Sequence, residues 1–444
     1  MSITMNMGNT LKPVKVGICG LGTVGGGTFN VLQRNARIIT ARAGRPVIIE
    51  QVGARRDNSD CDTGDINVTR DIFAVAHNPE IDILVETIGG YDVAKELILT
   101  AIDQGKHVVT ANKALIAEHG NEIFQAARDK NVIVAYEAAV AGGIPIIKCL
   151  REGLSANSIS WLAGIINGTG NYILTEMGDH NRPFADVLKE AQALGYAEAD
   201  PTFDVEGIDA CHKLTIMASI AFGIPLQFTK AYTEGISKIT PIDIQYAASL
   251  GFRIKHLGVA RKAANGIELR VHPTLIPSNR PLANINGVMN SVVVQGDGIG
   301  QTMYSGPGAG AEPTASSVIA DIVDIARTID APDAAVHALG FSAESLSDTL
   351  PVLPITETVC SFYLRIHADD HPGVMNAVTR VLSNHGINID AITQKVTRED
   401  DGCADIVILT HRTLEGTMDK AISELEALED IKSPITRIRV EIMA

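Results

Sequence analysis

The stretch "LGYAEADPTFDVEGIDACHKL" (194–214) gathers Glu198, Asp200, Asp204, Glu206, Asp209 and Lys213 into one short span. Asp209 and Lys213 lie four residues apart, a spacing that puts both on one face of a helix. Cys211, Leu214 and Met217 give that helix an apolar stripe, which argues that the lysine is desolvated. A desolvated lysine among carboxylates can act as a general acid or base. The same residues also fit a solvated loop followed by a surface ion pair, and the stretch alone leaves both readings open. Gly195 is placed to end one helix and Asp204 to cap the next.

A second cluster lies near the start. "GICGLGTVGGG" carries GxGxxG at Gly20, Gly22 and Gly25, with Leu21, Thr23 and Val24 between them. By itself the pattern is weak, but here it follows the apolar run "VKVGIC" (14–19) and opens a helix. The first glycine permits a tight turn, the second lets backbone approach a pyrophosphate, and the third lets helix and strand pack closely. A dinucleotide site is favoured over a glycine-rich turn of an unrelated α/β protein. At the end of the next strand the chain reads "QVGARRDNS", with Arg55 and Arg56 where NAD enzymes place a carboxylate. Glu50 falls inside the strand, too early for that role. The basic pair favours NADP, with NAD possible, although two solvating surface arginines would look the same.

"TANKALIA" sets Lys113 between a strand end and a helix start, at the carboxyl edge of a sheet where ligands bind. It can reach a nicotinamide, a substrate oxygen or a phosphate, or simply be an exposed first-turn residue. "EAAVAGGIPII" (137–147) ends a strand in a small-residue turn; Glu137 there is a candidate oxygen ligand for a hard cation. The residues alone slightly favour a hinge instead.

These groups need a scaffold, and the chain supplies a legible one. Strands at 14–19, 47–52, 82–87, 107–111 and 132–137 alternate with helices to about 41, at 94–105 and at 114–129. That alternation means a doubly wound parallel sheet of Rossmann type. After Pro145 an α+β region follows, with strands at 158–165, 252–259, 267–276 and 288–296 and helices around 171–179, 184–194, 205–222 and 241–250. A glycine-rich segment, "YSGPGAGAEPTASSV", leads into a helix to about 329, and 341–356 reads as a linker. The remainder, 357–444, has the order βαββαβ of a ferredoxin-like module. The expected division is a dinucleotide domain over 1–145 completed by about 305–340, a substrate and dimerisation domain over 146–304, the linker, and the terminal module.

Composition narrows the function. The 444 residues are 45% hydrophobic and 20% charged, a globular profile, and the formal charge of −15 argues against nucleic-acid or anionic-membrane binding as the main task. Six scattered cysteines without a CxxC pair point to reduced thiols and a cytoplasmic location. No signal-peptide core and no stretch of 18 apolar residues is seen.

"GLGTVG", "ANKALIA", "EAAVAGGIPII", "INGTGNYIL" and the 194–214 block, in this order, resemble homoserine dehydrogenase, and "HADDHPGVMNAVTRVLSNHGINID" resembles an ACT domain. The resemblance covers nearly the whole chain, and with no aspartokinase pattern in the sequence the expected form is the monofunctional one. It implies reversible reduction of L-aspartate 4-semialdehyde to L-homoserine by NADPH or NADH. Lys213 is then the proton donor to the aldehyde oxygen, with Lys113 also at the reacting end. Glu198, Asp209 and Asp204 fall at the substrate, Glu198 and Asp209 holding its amino end, and Gly195 and Gly310 lie beside the cofactor. Glu137 with the backbone of Val140, Gly142 and Ile144 matches a sodium site, which displaces the hinge reading. In the ACT module Asp370, Gly373, Asn388 and Ile389 match an effector site, with threonine the leading effector. A homodimer or homotetramer is implied, and a chain ended near 350 is expected to keep catalysis. The sequence departs once: Gly170 stands where the family usually has a second threonine in "INGTTN". Two rivals remain, an acyl-phosphate-forming semialdehyde dehydrogenase, which needs a nucleophilic cysteine, and a non-catalytic amino-acid sensor.

Overall fold

A computed structural model describes residues 11–347, 349–396 and 402–443. They form two compact units. The first comprises Met1–Ile159, His212–Thr229 and Gln295–Thr349; the second comprises Ser160–Cys211, Lys230–Val294 and Leu350–Ala444.

In the first unit, β1 (Val14–Cys19), β2 (Val47–Gly53), β3 (Asn67–Thr69), β4 (Ile83–Glu86), β5 (His107–Thr110) and β6 (Val134–Ala135) are all parallel, in the order β3-β2-β1-β4-β5-β6. The order reverses direction between β1 and β4, and at such a switch point the carboxyl ends of the strands open a crevice for a ligand. β1, β4 and β5 are mostly apolar and almost wholly buried, as strands covered by helices on both faces are. The helix Ala311–Thr328 returns to this core: Val318, Ile322 and Ile325 pack with Val16, Ile18 and Phe29. The sixth strand is shorter than the sequence suggested, since the chain turns into a 3-10 segment at Glu137–Ala139. β3 and the helix Ile72–His77 emerge from what reads as polar loop.

The second unit holds β7 (Ile159–Ile165), β8 (Tyr232–Thr233), β9 (Phe252–Ala263), β10 (Gly266–Pro277) and β11 (Met289–Gly296). The chain then runs through β12 (Gly300–Pro307) into the first unit and comes back as β13 (Val359–Asp369), β14 (Ile389–Val396), β15 (Cys403–Thr410), β16 (Thr413–Leu414) and β17 (Thr436–Val440). The sheet of the second unit runs β11-β7-β9-β10-β17-β13-β15-β14. Its last four strands, with the helices Val374–Asn384 and Glu415–Glu426, are the expected βαββαβ module. That module is not separate. Thr274 and Leu275 of β10 pair in parallel with Arg439 and Val440 of β17, so one sheet is continuous across both. The segment read as a linker is also anchored: Ile267 and Leu353 donate backbone hydrogen bonds to the Pro351 and Ile267 carbonyls at 2.8 and 2.9 Å.

Two arginines lie at this seam, fully buried. Arg270 of β10 donates to Glu441 at 2.6 Å and to Glu268 at 3.0 Å. Arg439 of β17 donates to Glu234 at 2.6 Å and through Nε to Glu415 at 2.8 Å. Buried charges persist only when paired and hydrogen-bonded, and here each arginine has two carboxylates.

Candidate active site

The dinucleotide loop is shaped by its glycines. Gly20 takes φ +102°, which disfavours any side chain, and a Cβ on Gly25 would lie 1.9 Å from the Gly20 carbonyl. A Cβ on Gly22 would meet nothing within 4 Å, so it is exposure toward the crevice that leaves this position bare. Leu21 is buried beneath the loop; Thr23 and Val24 open the helix Thr23–Arg34. That helix has no side-chain cap and no acid in its first turn, so its first N–H groups are offered to an anion. Thr87 supports the turn by donating to the Gly20 and Cys19 carbonyls. Gly310, at φ +117°, leads into Ala311–Thr328, whose first residue packs on Thr23–Arg34: a Cβ on Gly27 would stand 2.5 Å from the Ala311 carbonyl oxygen.

Beside this loop lies a cavity of about 1090 Å³, lined by Gly20, Gly22, Arg55, Arg56, Arg70 and the 87–93 turn among others. Arg55 and Arg56 are exposed just past β2. Glu50 is occupied elsewhere, paired with Lys15 at 3.2 Å. Asp57, the acid that directly follows the two arginines, is paired with Arg70 at 2.8 Å. Sequence reasoning missed Arg70, which lies 15 residues beyond Arg55 and reaches the cavity only through β3. It also missed Glu86. This carboxylate, buried at the end of β4, accepts from the Ile88 and Gly89 N–H groups and from the Thr110 hydroxyl, which sets the turn over the crevice. Burial raises its pKa, and those donors work against the rise.

Lys113 begins the helix Lys113–Asp129 directly after β5, with Asn112 as its cap accepting from the Leu115 N–H. Lys213 is buried in the helix Ile208–Phe222. His212, also buried, contacts Glu118 at 3.1 Å and stacks on Phe228, so the lysine's helix is fastened to the helix that Lys113 starts. Cys211 is buried, and the half-buried Cys149 has its pKa raised by burial and then by Glu137. Neither resembles an activated nucleophile, which removes the support for the acyl-phosphate rival.

In the second unit the acids have an organiser, Asn167, that sequence reasoning also missed. Asn167 donates through its amide nitrogen to Asp204 at 2.7 Å and to Asp209 at 2.8 Å. Its carboxamide oxygen accepts from the Gly170 N–H, capping the helix Gly168–His180. Asparagine before glycine at a strand exit was the available signal. Asp204 lies in the short turn Thr202–Val205, not directly before the helix of Lys213; that helix starts after Gly207, at φ +83°. Gly195 ends the helix Phe184–Ala193 as expected, at φ +74°, with the Gly195 and Tyr196 N–H groups bonding back to Gln192 and Ala191 carbonyls. Glu198 is exposed; its carbonyl accepts from Gln192.

Glu137 is 1% exposed, and its two oxygens accept from the Ile147 and Lys148 N–H groups at 2.9 and 2.8 Å. Burial, followed by the neighbouring Asp321, pushes its pKa up to about 8. Among the described residues no cationic side chain pairs with it. Ala141 and Gly142 turn consecutively through positive φ, and the Gly142 carbonyl also accepts from Ser317. Glu137 and the backbone carbonyls of Val140, Gly142 and Ile144 can offer only oxygen donors, the donor type that a hard cation takes; the Gly142 and Ile144 carbonyls also accept from Ser317 and Ile146.

The four effector candidates do not meet within one module. Asp370 and Gly373 follow β13 and lead into Val374–Asn384, while Asn388 directly precedes β14 and Ile389 begins it. Asp369 faces Cys403 on β15, whereas Ile389 faces Thr410, seven residues on. At about 3.4 Å per residue the two groups stand roughly 24 Å apart, at opposite ends of the sheet.

The comparisons agree with this layout. Residues 20–137 match the family model described as homoserine dehydrogenase, NAD binding domain; 145–323 match homoserine dehydrogenase; and 362–430 match the ACT domain. The chain is 65% identical to a homoserine dehydrogenase of Pseudomonas aeruginosa over 97% of its length and 99% of the relative's. It is 52% identical to that of Neisseria gonorrhoeae, with the same coverage of each chain. A crystal structure of a homoserine dehydrogenase from Thiobacillus denitrificans superposes with a TM-score of 0.92 at 55% identity, covering 98% of this chain and 100% of that one. No helix among the described residues is long and apolar enough to cross a membrane. The chain belongs to the homoserine dehydrogenase family of oxidoreductases, with a nicotinamide-nucleotide-binding domain ahead of its catalytic domain and an ACT domain behind it.

Proposed function

We propose that this chain reduces L-aspartate 4-semialdehyde to L-homoserine, reversibly, with Lys213 as the proton donor and NADPH as the preferred reductant, in the cytoplasm. The observation that carries the reading is the buried Lys213 one helical turn after Asp209, whose carboxylate Asn167 holds in place. The nicotinamide supplies the hydride. Gly20, Leu21, Gly22, Thr23, Val24 and Gly25 would receive the pyrophosphate, and Gly195 and Gly310 would lie beside the cofactor. Lys213, desolvated, would give its proton to the carbonyl oxygen, and Lys113 would add positive charge at that oxygen. Glu198, Asp204 and Asp209 take the substrate's ammonium end, as a cationic group requires.

Arg55 supports NADPH, since the end of β2 offers arginines in place of a free carboxylate. An archaeal homoserine dehydrogenase, 26% identical with a TM-score of 0.61, is described in complex with NADPH. Glu137 with Val140, Gly142 and Ile144 would hold sodium, which would neutralise a carboxylate that burial disfavours. Threonine is proposed as the effector. Because Asp370 and Gly373 lie at one end of the module's sheet and Asn388 and Ile389 at the other, one site using all four needs two modules, hence a homodimer or homotetramer. A spectrophotometric assay of NADPH oxidation with the semialdehyde tests the activity. Repeating it with NADH and with added threonine tests the two finer claims; no turnover with either cofactor refutes the reading.

A further inference from the structure

Gly170 occupies the first turn of the helix Gly168–His180 in the second unit, next to the residue that organises the acids. A Cβ at Gly170 would lie 3.3 Å from Asn167 Oδ1, 3.6 Å from His256 Nδ1 and 3.6 Å from Ile236 Cδ1. A side chain here would stand in tight to ordinary contact with these atoms, and two of the three facing the position are polar, the Asn167 oxygen and the His256 nitrogen.

His256 is buried in β9. Its Nε2 donates to the Glu234 carbonyl at 2.9 Å, which leaves Nδ1 as a lone-pair acceptor. Burial lowers its pKa, so the ring is neutral at physiological pH. Among the described residues Nδ1 has no hydrogen-bond partner. Leaving such a buried acceptor unsatisfied costs energy, and buried polar groups are almost always satisfied by protein or by an ordered water. Asn167 cannot supply the donor: its oxygen is itself an acceptor, and its nitrogen is engaged with Asp204 and Asp209. Two acceptors facing one position call for a donor with two hydrogens, and a single water supplies both.

We propose that a water seated beside Gly170 satisfies the orphaned His256 Nδ1, and that His256 is a positioning residue which, through that water, fixes the Asn167 carboxamide and hence the Asp204 and Asp209 carboxylates. The bridge runs from Nδ1 to water to Asn167 Oδ1, and the amide nitrogen of the same side chain carries the effect to the acids. This rests on reading those acids as the substrate's ammonium site.

Three variants test it in the full-length enzyme. Gly170→Ala puts a methyl group at this position that excludes the water and donates nothing. Gly170→Ser places a hydroxyl within reach of Nδ1, since Oγ sits about 1.4 Å from a Cβ that is itself 3.6 Å away. We expect Gly170→Ala to raise KM for the semialdehyde at least fivefold with kcat within twofold, and Gly170→Ser to recover most of that rise. Thermal stability gives a second readout. Helix propensity alone makes alanine the more stable of the two, so a higher Tm for Gly170→Ser supports the water and the opposite order counts against it. Equal KM values for the two variants overturn the proposal. Asp209→Asn separates the two levels. If it leaves KM unchanged, the substrate reading fails; if it raises KM while Gly170→Ala and Gly170→Ser behave alike, the water proposal fails by itself. A crystal structure of the unsubstituted enzyme is the check that needs no variant. It should show a water within about 3 Å of both His256 Nδ1 and Asn167 Oδ1, and the absence of one refutes the proposal.

Discussion

Replacing Glu441 by glutamine asks whether the C-terminal module is an appendage or part of the fold of the second unit. Glu441 follows β17 and is 4% exposed; its backbone N–H donates to the Leu275 carbonyl in β10 at 3.0 Å. Its carboxylate accepts from Arg270 at 2.6 Å and from Arg261 at 2.8 Å. Burial opposes its ionisation, but the two guanidinium groups outweigh that and hold its pKa below the usual carboxylate range. Glutamine keeps the volume and one acceptor while removing the charge, so that among the described residues the fully buried Arg270 retains only Glu268 as an ionic partner. Removing one member of a buried pair costs about 3–5 kcal/mol, and the surviving Glu268 argues for the low end. A loss of about 3 kcal/mol corresponds to a fall in Tm of roughly 6–12 °C in a unit of this size. Thermal unfolding of the full chain at pH 7 measures it. The sign of the pH dependence also follows. A depressed carboxyl pKa contributes stability that is present above its unfolded value and is lost as pH falls through its folded value. The gap between parent and variant should therefore narrow below about pH 4. A fall under 2 °C at pH 7 refutes the reasoning. The same structure reverses the expectation that a chain ended near 350 stays active: without β17, β10 loses a strand partner and Arg270 loses Glu441. A folded, active 1–350 fragment would show that the seam is dispensable.

Lys213→Ala is expected to lower kcat by about 10²–10⁴, the usual contribution of a general acid, while the Kd for NADPH measured by fluorescence stays within about threefold; near-normal kcat sinks the assignment. Arg55→Asp should weaken NADPH more than NADH, because a carboxylate repels a 2′-phosphate and accepts from a ribose hydroxyl; equal changes in both KM values exclude Arg55 from reading the phosphate. Sodium chloride should raise Tm above the value in choline chloride at equal ionic strength, and Glu137→Gln should abolish the difference. A sodium effect that survives the substitution places the cation elsewhere.

Local chemistry made much of the candidate site legible in the sequence. Glycine spacing is dictated by a tight turn and a close helix, so Gly20, Gly22 and Gly25 announce their loop through their order in the chain alone. Helical spacing likewise puts Asp209 and Lys213 on one face, and Gly195 ends its helix for a reason visible in three residues. What escaped were groups whose role depends on distant chain. Asn167 stands 37 and 42 residues from the acids it holds. His212 meets Glu118 across 94 residues. Nothing periodic in the sequence records either pairing. The effector candidates do not meet within one module for a related reason: a turn after the first strand and the start of the second are separated by a helix that carries the chain to the other end of the sheet. The seam shows the limit most clearly. A βαββαβ order identifies a module but not what pairs with its outer strand. Edge strands seek partners, and here β17 finds one in β10 of its own chain. The clue lay in residue types that make poor sense in an isolated module. Arg439 alternates with apolar residues in "RIRVEI" at a position facing inward, where a buried guanidinium is tolerable only if carboxylates meet it. One of them, Glu415, belongs to the module; the other, Glu234, lies 205 residues away in the catalytic part of the same unit. A charge that cannot be satisfied within its own module is thus evidence of a neighbour, and it makes the module's docking part of the fold.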